Sequence, residues 1–264
     1  MSKTLGAGMH AQVFAAELDG EPVAAKLDCW GAPFWHKSKV LWEAELLGEL
    51  PVDHPHLPHL RMAGEGHRGS LWNIQDYAGD RIPALLRSQM TGSPGMLTTF
   101  GVAVLDALVA THARGIVHRD LHIDNILLKD VRDVGSANLI DFGGSMRRGT
   151  EYAGQPWEVA IPFLAPERKS PGAPLRADFA EDIYSIGFLL AQLATGHPPY
   201  DVADRKSLNL WEERYRAAPD LSVPEPERAS KRKLFEILKG ALARDPSQRP
   251  ASAEDFRQRL SAAA

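Results

Sequence analysis

The chain has 264 residues, 44% hydrophobic and 24% charged, with 30 lysines and arginines against 34 aspartates and glutamates, for a formal net charge of -4. That balance suits a folded globular chain long enough for one large domain or two apposed lobes, and it excludes the broad cationic surface that bulk attraction to nucleic acid requires. The single cysteine, Cys29, has no intramolecular partner, which excludes a disulfide scaffold and favours a reducing compartment. No signal-peptide pattern follows Met1, and the apolar runs elsewhere read as too short or too interrupted to cross a bilayer, so a cytoplasmic location is expected.

In chain order, short apolar runs at 13–18 and 22–27 flank Asp19-Gly20, a dipeptide suited to a tight hairpin turn. Leu41, Leu46, Leu47 and Leu50 recur near helical spacing and predict a helix over 37–50. Strands are predicted over 57–62 and 70–75. After Gly79 the pattern turns helical. A long helix is predicted over 97–114, with Phe100, Val104, Leu105, Leu108 and Val109 on its apolar side and Gly115 at its end. Short strands are expected at 126–128 and 138–140, and helices over 181–194, 233–243 and 253–260. The sequence thus divides into a small β-rich unit, residues 1–79, and a mainly helical unit, residues 80–264, with a natural ligand cleft at the junction near Asp76–Gly79.

Three segments carry chemistry. Gly6-Ala7-Gly8 lies at the first strand turn, where missing β-carbons let backbone amides approach phosphate oxygens. Lys26 interrupts an apolar strand and offers a cation below that turn, although an edge-strand lysine reaching solvent would look the same. His118-Arg119-Asp120-Leu121-His122-Ile123-Asp124-Asn125 follows the long helix and concentrates groups that bind or transfer protons. Phosphoryl transfer to a hydroxyl needs a carboxylate to orient the nucleophile, oxygen ligands for a divalent cation, and cations near the moving phosphate. Asp120, Asn125 and Asp141 supply the oxygens, and Lys26 the opposing charge.

In this order the segments resemble those of the eukaryotic-like protein kinases, including bacterial serine/threonine kinases, from Leu5 to Leu260. The resemblance implies an α+β, two-lobed fold using ATP and Mg2+, with Mn2+ as a substitute. Gly6 and Gly8 resemble the glycine-rich loop, with Val13 and Ala24 beside the nucleotide. Val23-Ala24-Ala25-Lys26 resembles the strand of the phosphate-contacting lysine. Glu43 matches its helix partner, with Glu45 as the alternative register. Gln75, Asp76 and Ala78 resemble the gate and hinge of the adenine pocket. Asp120 is implied as base, and Asn125 and Asp141 as metal ligands. Ala165-Pro166-Glu167 resembles the end of the activation segment, Asp182 the aspartate that ties to the catalytic loop, and Arg249 the partner of Glu167.

The sequence departs from the family pattern at three points: Ala11 replaces a third glycine, His122 stands where a phosphate-side lysine is usual, and Ala160 stands where a threonine is usual. Neutral imidazole at His122 would weaken phosphate-side charge. Asp120-Leu121-His122 with Asn125 also resembles the loop of small-molecule phosphotransferases. Arg119, Ala165-Pro166-Glu167 and Arg249 favour the protein-kinase side, so a protein substrate is expected, with a small hydroxylated metabolite, or a nucleotide-binding scaffold with little turnover, as alternatives. Any regulatory protein would act in trans, and no nucleic acid or membrane segment is expected. Arg119 implies control by phosphorylation, with Thr150 as first acceptor and Ser145 and Tyr152 behind it. His54, His56 and His59 read as structural rather than zinc ligands. Trp30, Trp35 and Trp42 read as packing, with a docking face as the alternative, and Trp211 and Tyr215 as either core or substrate platform.

Overall fold

The computed structural model describes residues 3–7, 11–28, 34–153, 163–169, 175–200, 218–224 and 227–263. Gly8, Cys29, Trp30, Ala160, Trp211 and Tyr215, and the side chain of Trp35, lie outside the described residues.

Five strands, β1 (Thr4–Ala7), β2 (Ala11–Leu18), β3 (Glu21–Asp28), β4 (Leu60–Glu65) and β5 (Leu71–Asp76), form an antiparallel sheet in the order β1-β2-β3-β5-β4. The β2–β3 hairpin turns at Asp19 (φ 53) and Gly20 (φ 84), the paired positive φ values that a two-residue turn matching strand twist requires. Helix α1 (Phe34–Gly48) packs against β3, β4 and β5 and buries Val40, Leu46 and Leu47. The strand predicted from residue 57 begins only at Leu60. Pro55 and Pro58 have no N–H to give a ladder, and the stretch before β4 is built of turns.

Below the sheet the chain crosses at Tyr77–Gly79 into β6 (Asp80–Arg81), which pairs with β8 (Ile126–Leu128), itself paired with β9 (Ala137–Leu139); β7 (Ile116–Val117) lies before the loop 118–125 and pairs with β10 (Met146–Arg147). Gly79 is required at this crossing. Its φ is +111, and a β-carbon there would fall 2.0 Å from the Leu128 carbonyl oxygen.

The larger lobe is helical: α2 (Ala84–Gly92), α3 (Pro94–Ala113), α4 (Phe179–Thr195), α5 (Glu227–Ala241) and α6 (Ala253–Ser261). Ser93 caps α3 by accepting from the Met96 amide, with Pro94 at the first helical position. Asp178 and Glu181 form a capping box at the start of α4, and Gly196 closes that helix at φ 81. Phe100, Leu105, Leu108, Tyr184, Leu190, Leu238, Phe256 and Leu260 meet in one core. At Gly187 a β-carbon would come within 2.7 Å of the Ala241 methyl, so glycine sets how closely α4 approaches α5.

Two sequence expectations need correction. Helix α5 starts at Glu227 rather than 233, because its first turns are charged and carry no apolar repeat. Helix α3, at 20 residues, is long and apolar enough by composition to cross a membrane, but much of it is buried in this core, including Leu97, Phe100, Val104 and Leu108.

Candidate active site

The site is assembled where the sheet faces the helical lobe. Val13 lies opposite Lys26 across the β2–β3 pair and opposite Gly6 across β1–β2, while Ala24 lies opposite Gln75 across β3–β5. A single sheet therefore carries most of the residues assigned to the nucleotide. Gly6 has no atom within 4 Å of where its β-carbon would stand. Gln75 is buried and donates to Asn73 Oδ1 at 3.4 Å, and Asn73 in turn donates to the Val40 carbonyl, tying the back of the cleft to α1. The Asp76 carboxylate pairs with Arg61, and its amide donates to the His59 carbonyl at 2.9 Å. Ala78 is buried.

Lys26 Nζ lies 2.7 Å from Glu43 Oε2 and 2.8 Å from Asp141 Oδ1. Burial opposes the ammonium charge, but the two carboxylates outweigh it and raise the lysine above its ordinary range. Glu43 is fully buried and also accepts from the Phe142 amide at 3.1 Å. Glu45 is exposed, so the register with Glu43 is the one the fold adopts. Asp141 is pulled down to about 2: burial acts upward, and the Lys26 charge and the Gly143 amide more than offset it.

Asp182, at zero exposure on α4, accepts from the backbone amides of His118 (2.8 Å) and Arg119 (2.7 Å) and pairs with His112 Nε2 (2.9 Å). This anchor holds Arg119 at φ 70, and Asp141 on the facing segment sits at φ 66. Both are left-handed conformations that a non-glycine residue adopts only at a cost, and they fall on Asp141 itself and on the neighbour of Asp120. Asn125 donates Nδ2 to the Asp120 carbonyl (2.8 Å) and to its Oδ2 (3.1 Å), which fixes the Asp120 carboxylate. With that nitrogen engaged, the amide oxygen of Asn125 is the atom left to act as a ligand.

His122 Nε2 lies 3.7 Å from Asp120 Oδ1, and its ring tilts against Phe163 at 5.2 Å. Burial pushes the imidazole toward neutrality; contact with Asp120 and the charges of Asp124 and Asp141 outweigh it and hold the ring above the ordinary histidine value. The carboxylates of Asp120, Asp124 and Asp141 thus favour the charged imidazole relative to a free histidine. Nδ1 faces the Asp124 amide at 3.3 Å and the Asp124 carboxylate at 3.9 Å, so the neutral ring accepts from the first and the protonated ring donates toward the second. Asp120 is correspondingly lowered: burial acts upward, and His122 and His118 outweigh it.

The supporting contacts include several that sequence reading did not single out. Trp42 Nε1 donates to the Ser145 carbonyl at 2.8 Å, and Arg147 pairs with Glu49, so the start of the activation segment is fastened to α1 and to the residue that follows it. Glu167 receives a two-pronged bond from Arg249, at 2.7 and 2.8 Å. His54 and His56 are engaged in the fold, through Asp106 and the Ala137 carbonyl. Glu181 and Arg168 were missed altogether. Asp178-x-x-Glu181 does read as a capping box, and that was the available signal.

A buried lysine under a small antiparallel sheet, facing an Asp–Asn–Asp oxygen set on a helical lobe, defines a kinase-type phosphotransferase scaffold. The chain belongs to the protein kinase family: the protein kinase domain model matches residues 1–260. It is 31% identical over 80% of its length to the serine/threonine-protein kinase PkaA of Streptomyces coelicolor, and 30% identical over 94% to the DNA damage-responsive serine/threonine-protein kinase RqkA of Deinococcus radiodurans. It is 31% identical over 69% of its length to human serine/threonine-protein kinase 16. The chain spans 37% of each bacterial relative and 59% of the human one.

Proposed function

We propose that this chain transfers the γ-phosphoryl group of ATP to a serine or threonine hydroxyl of a protein, with residues 1–79 and 80–264 as the two lobes of one catalytic domain. The observation that carries this reading is the Asp120 carboxylate held by Asn125 across from the Lys26–Glu43–Asp141 ion cluster. Asp120 orients the acceptor hydroxyl and takes its proton as the oxygen–phosphorus bond forms and the bond to the β-phosphate oxygen breaks. Lys26 neutralises nucleotide phosphate charge, with Glu43 holding it in place. Gly6 and Gly8 give the phosphates backbone amides, and Val13, Ala24, Gln75, Asp76 and Ala78 line the adenine side.

Asp141 and Asn125 would hold Mg2+, or Mn2+ in its place. The donor set fits: one carboxylate kept ionised and one amide oxygen are hard ligands that leave positions for phosphate oxygens and water. When bound, the ion would neutralise charge on the phosphates.

The 27 residues from Asp141 to Glu167 are enough for a peptide-docking platform, which favours a protein acceptor over a small hydroxylated metabolite. His122, raised toward the cation, supplies phosphate-side charge where lysine is usual. We place the domain in the cytoplasm. The test is magnesium-dependent transfer from labelled ATP, followed by phosphoamino-acid identification. Label on serine or threonine supports the reading; label confined to small hydroxylated compounds selects the metabolite alternative.

A further inference from the structure

Arg119, beside the catalytic Asp120, is the residue that a phosphate on the activation segment would be expected to engage. In the unphosphorylated chain it is already enclosed. Its guanidinium lies 3.9 Å from the Tyr152 ring centre, and its Nε lies 3.5 Å from Glu181 Oε2. Arg168 Nε lies 3.4 Å from the same carboxylate oxygen, while Arg168 Nη1 donates to the Arg119 carbonyl at 2.8 Å. Glu181 is 2% exposed and Arg119 6%. One internal carboxylate thus lies between two arginines, one of them on the catalytic loop.

The hydroxyl side chains from Asp141 to Glu167 are Ser145, Thr150 and Tyr152. Ser145 is buried and donates to the His118 carbonyl, and the Tyr152 hydroxyl donates toward Glu181 at 3.4 Å. Thr150 is exposed. Its segment is already fixed by backbone pairing: the Gly149 amide donates to the Ala177 carbonyl, the Ala177 amide donates to the Thr150 carbonyl, and β11 (Glu151–Tyr152) pairs with β12 (Leu175–Arg176).

We propose that Glu181 is a positioning residue that serves as a built-in anion for Arg119 and Arg168, setting the catalytic loop without phosphorylation of the activation segment. This rests on the phosphotransferase reading for its consequence in turnover, but the pairing itself is a property of the fold. Among the described residues, the charged and titratable groups facing Glu181 are Arg119 from the catalytic loop, Arg168 from the turn at Pro166–Lys169, Tyr152 from β11, and Asp178 and Asp182 from its own helix and cap. Burial lifts its carboxyl to about 7, with Arg168 and Arg119 acting downward, so the anion gains weight through neutral pH.

The Glu181→Gln variant separates charge from capping, because glutamine can still accept from the Asp178 amide as Glu181 Oε1 does at 3.1 Å. Thr150→Ala tests the competing acceptor. Two readouts are needed: hydrogen exchange of the amides at 117–125, and kcat with the KM for ATP. Phosphatase-treated wild type should show a protected catalytic loop and undiminished kcat, and Thr150→Ala should match it. Glu181→Gln should keep its KM and stay folded under assay conditions, with a melting temperature lowered by a few degrees, while loop protection and kcat each fall about tenfold, the scale of one charge-assisted hydrogen bond. A protected loop that loosens in Glu181→Gln, in a wild type that transfers no phosphate, supports the pairing and counts against the phosphotransferase reading. Protection or turnover that appears only after phosphorylation of Thr150 overturns the proposal, as does a Glu181→Gln protein equal to wild type in both readouts.

Discussion

Lys26 Nζ stands 2.7 Å from Glu43 Oε2, an ion pair that joins the central strand of the sheet to α1 and places the lysine against Asp141. Because Glu43 also takes the Phe142 amide, one buried carboxylate registers the sheet, the helix and the activation segment together. Glu43→Gln should therefore lower transfer by about 100-fold, the scale seen when one preorganised electrostatic contact is lost, while Glu45→Gln on the exposed face should leave it unchanged. Steady-state kinetics of the two variants side by side checks this.

Asp141→Asn should abolish magnesium-dependent transfer and lower the melting temperature at neutral pH, although Lys26 keeps Glu43. In the wild type the Asp141 carboxyl sits at about 2, below its unfolded value of ~3.9. Its contribution to stability is then present above pH ~4 and lost as the pH falls toward 2. Acid unfolding of wild type and Asp141→Asn should show that window in the wild type alone.

His122 has the opposite sign. Its folded value is raised, so its favourable contacts are fully present below the unfolded value of ~6.5 and fade as the pH rises through the folded value. Transfer should decline in wild type as the pH rises through the folded His122 value and stay level in His122→Lys, whose charge persists. Identical pH–rate profiles would remove His122 from the phosphate-side electrostatics.

Arg249 is buried and bonds both oxygens of Glu167 as well as the Ala243 and Ala180 carbonyls. Arg249→Lys cannot reproduce the planar fork, and should cost about 3 kcal/mol, or roughly 6–12 °C in melting temperature. Thermal unfolding by circular dichroism measures it. Glu167→Gln, which keeps one acceptor, should lose less.

Gly79→Ala places a methyl on the Leu128 carbonyl at a φ that alanine resists. It should destabilise the protein by more than about 3 kcal/mol, measurable by urea unfolding.

The ATP side of the site was readable because its parts are punctuated: glycines at a turn, a lone lysine in an apolar strand, and an Asp and Asn five residues apart. Glu43 could be preferred over Glu45 but not secured, since helical spacing leaves neighbouring registers open until the sheet is placed. Asp19-Gly20 and Gly196 announced their turns through the conformations they permit. Glu181 and Arg168 stayed hidden because their meaning comes from a contact between distant segments. The upward shift of His122 could not be read from its reference value, because its contact with Asp120 and the charge of Asp141 are set by the fold. The start of α5 was lost in a run of charged residues that carries no apolar period.

The measurement that tests the central claim most directly is transfer from γ-labelled ATP by wild type and Asp120→Ala, offered the protein itself, generic proteins and a panel of hydroxylated small molecules. The account predicts magnesium-dependent label on protein serine or threonine, reduced by about 10²–10⁴-fold in Asp120→Ala. Equal labelling by the two proteins, or nucleotide binding by wild type with no transfer to any acceptor, would contradict it.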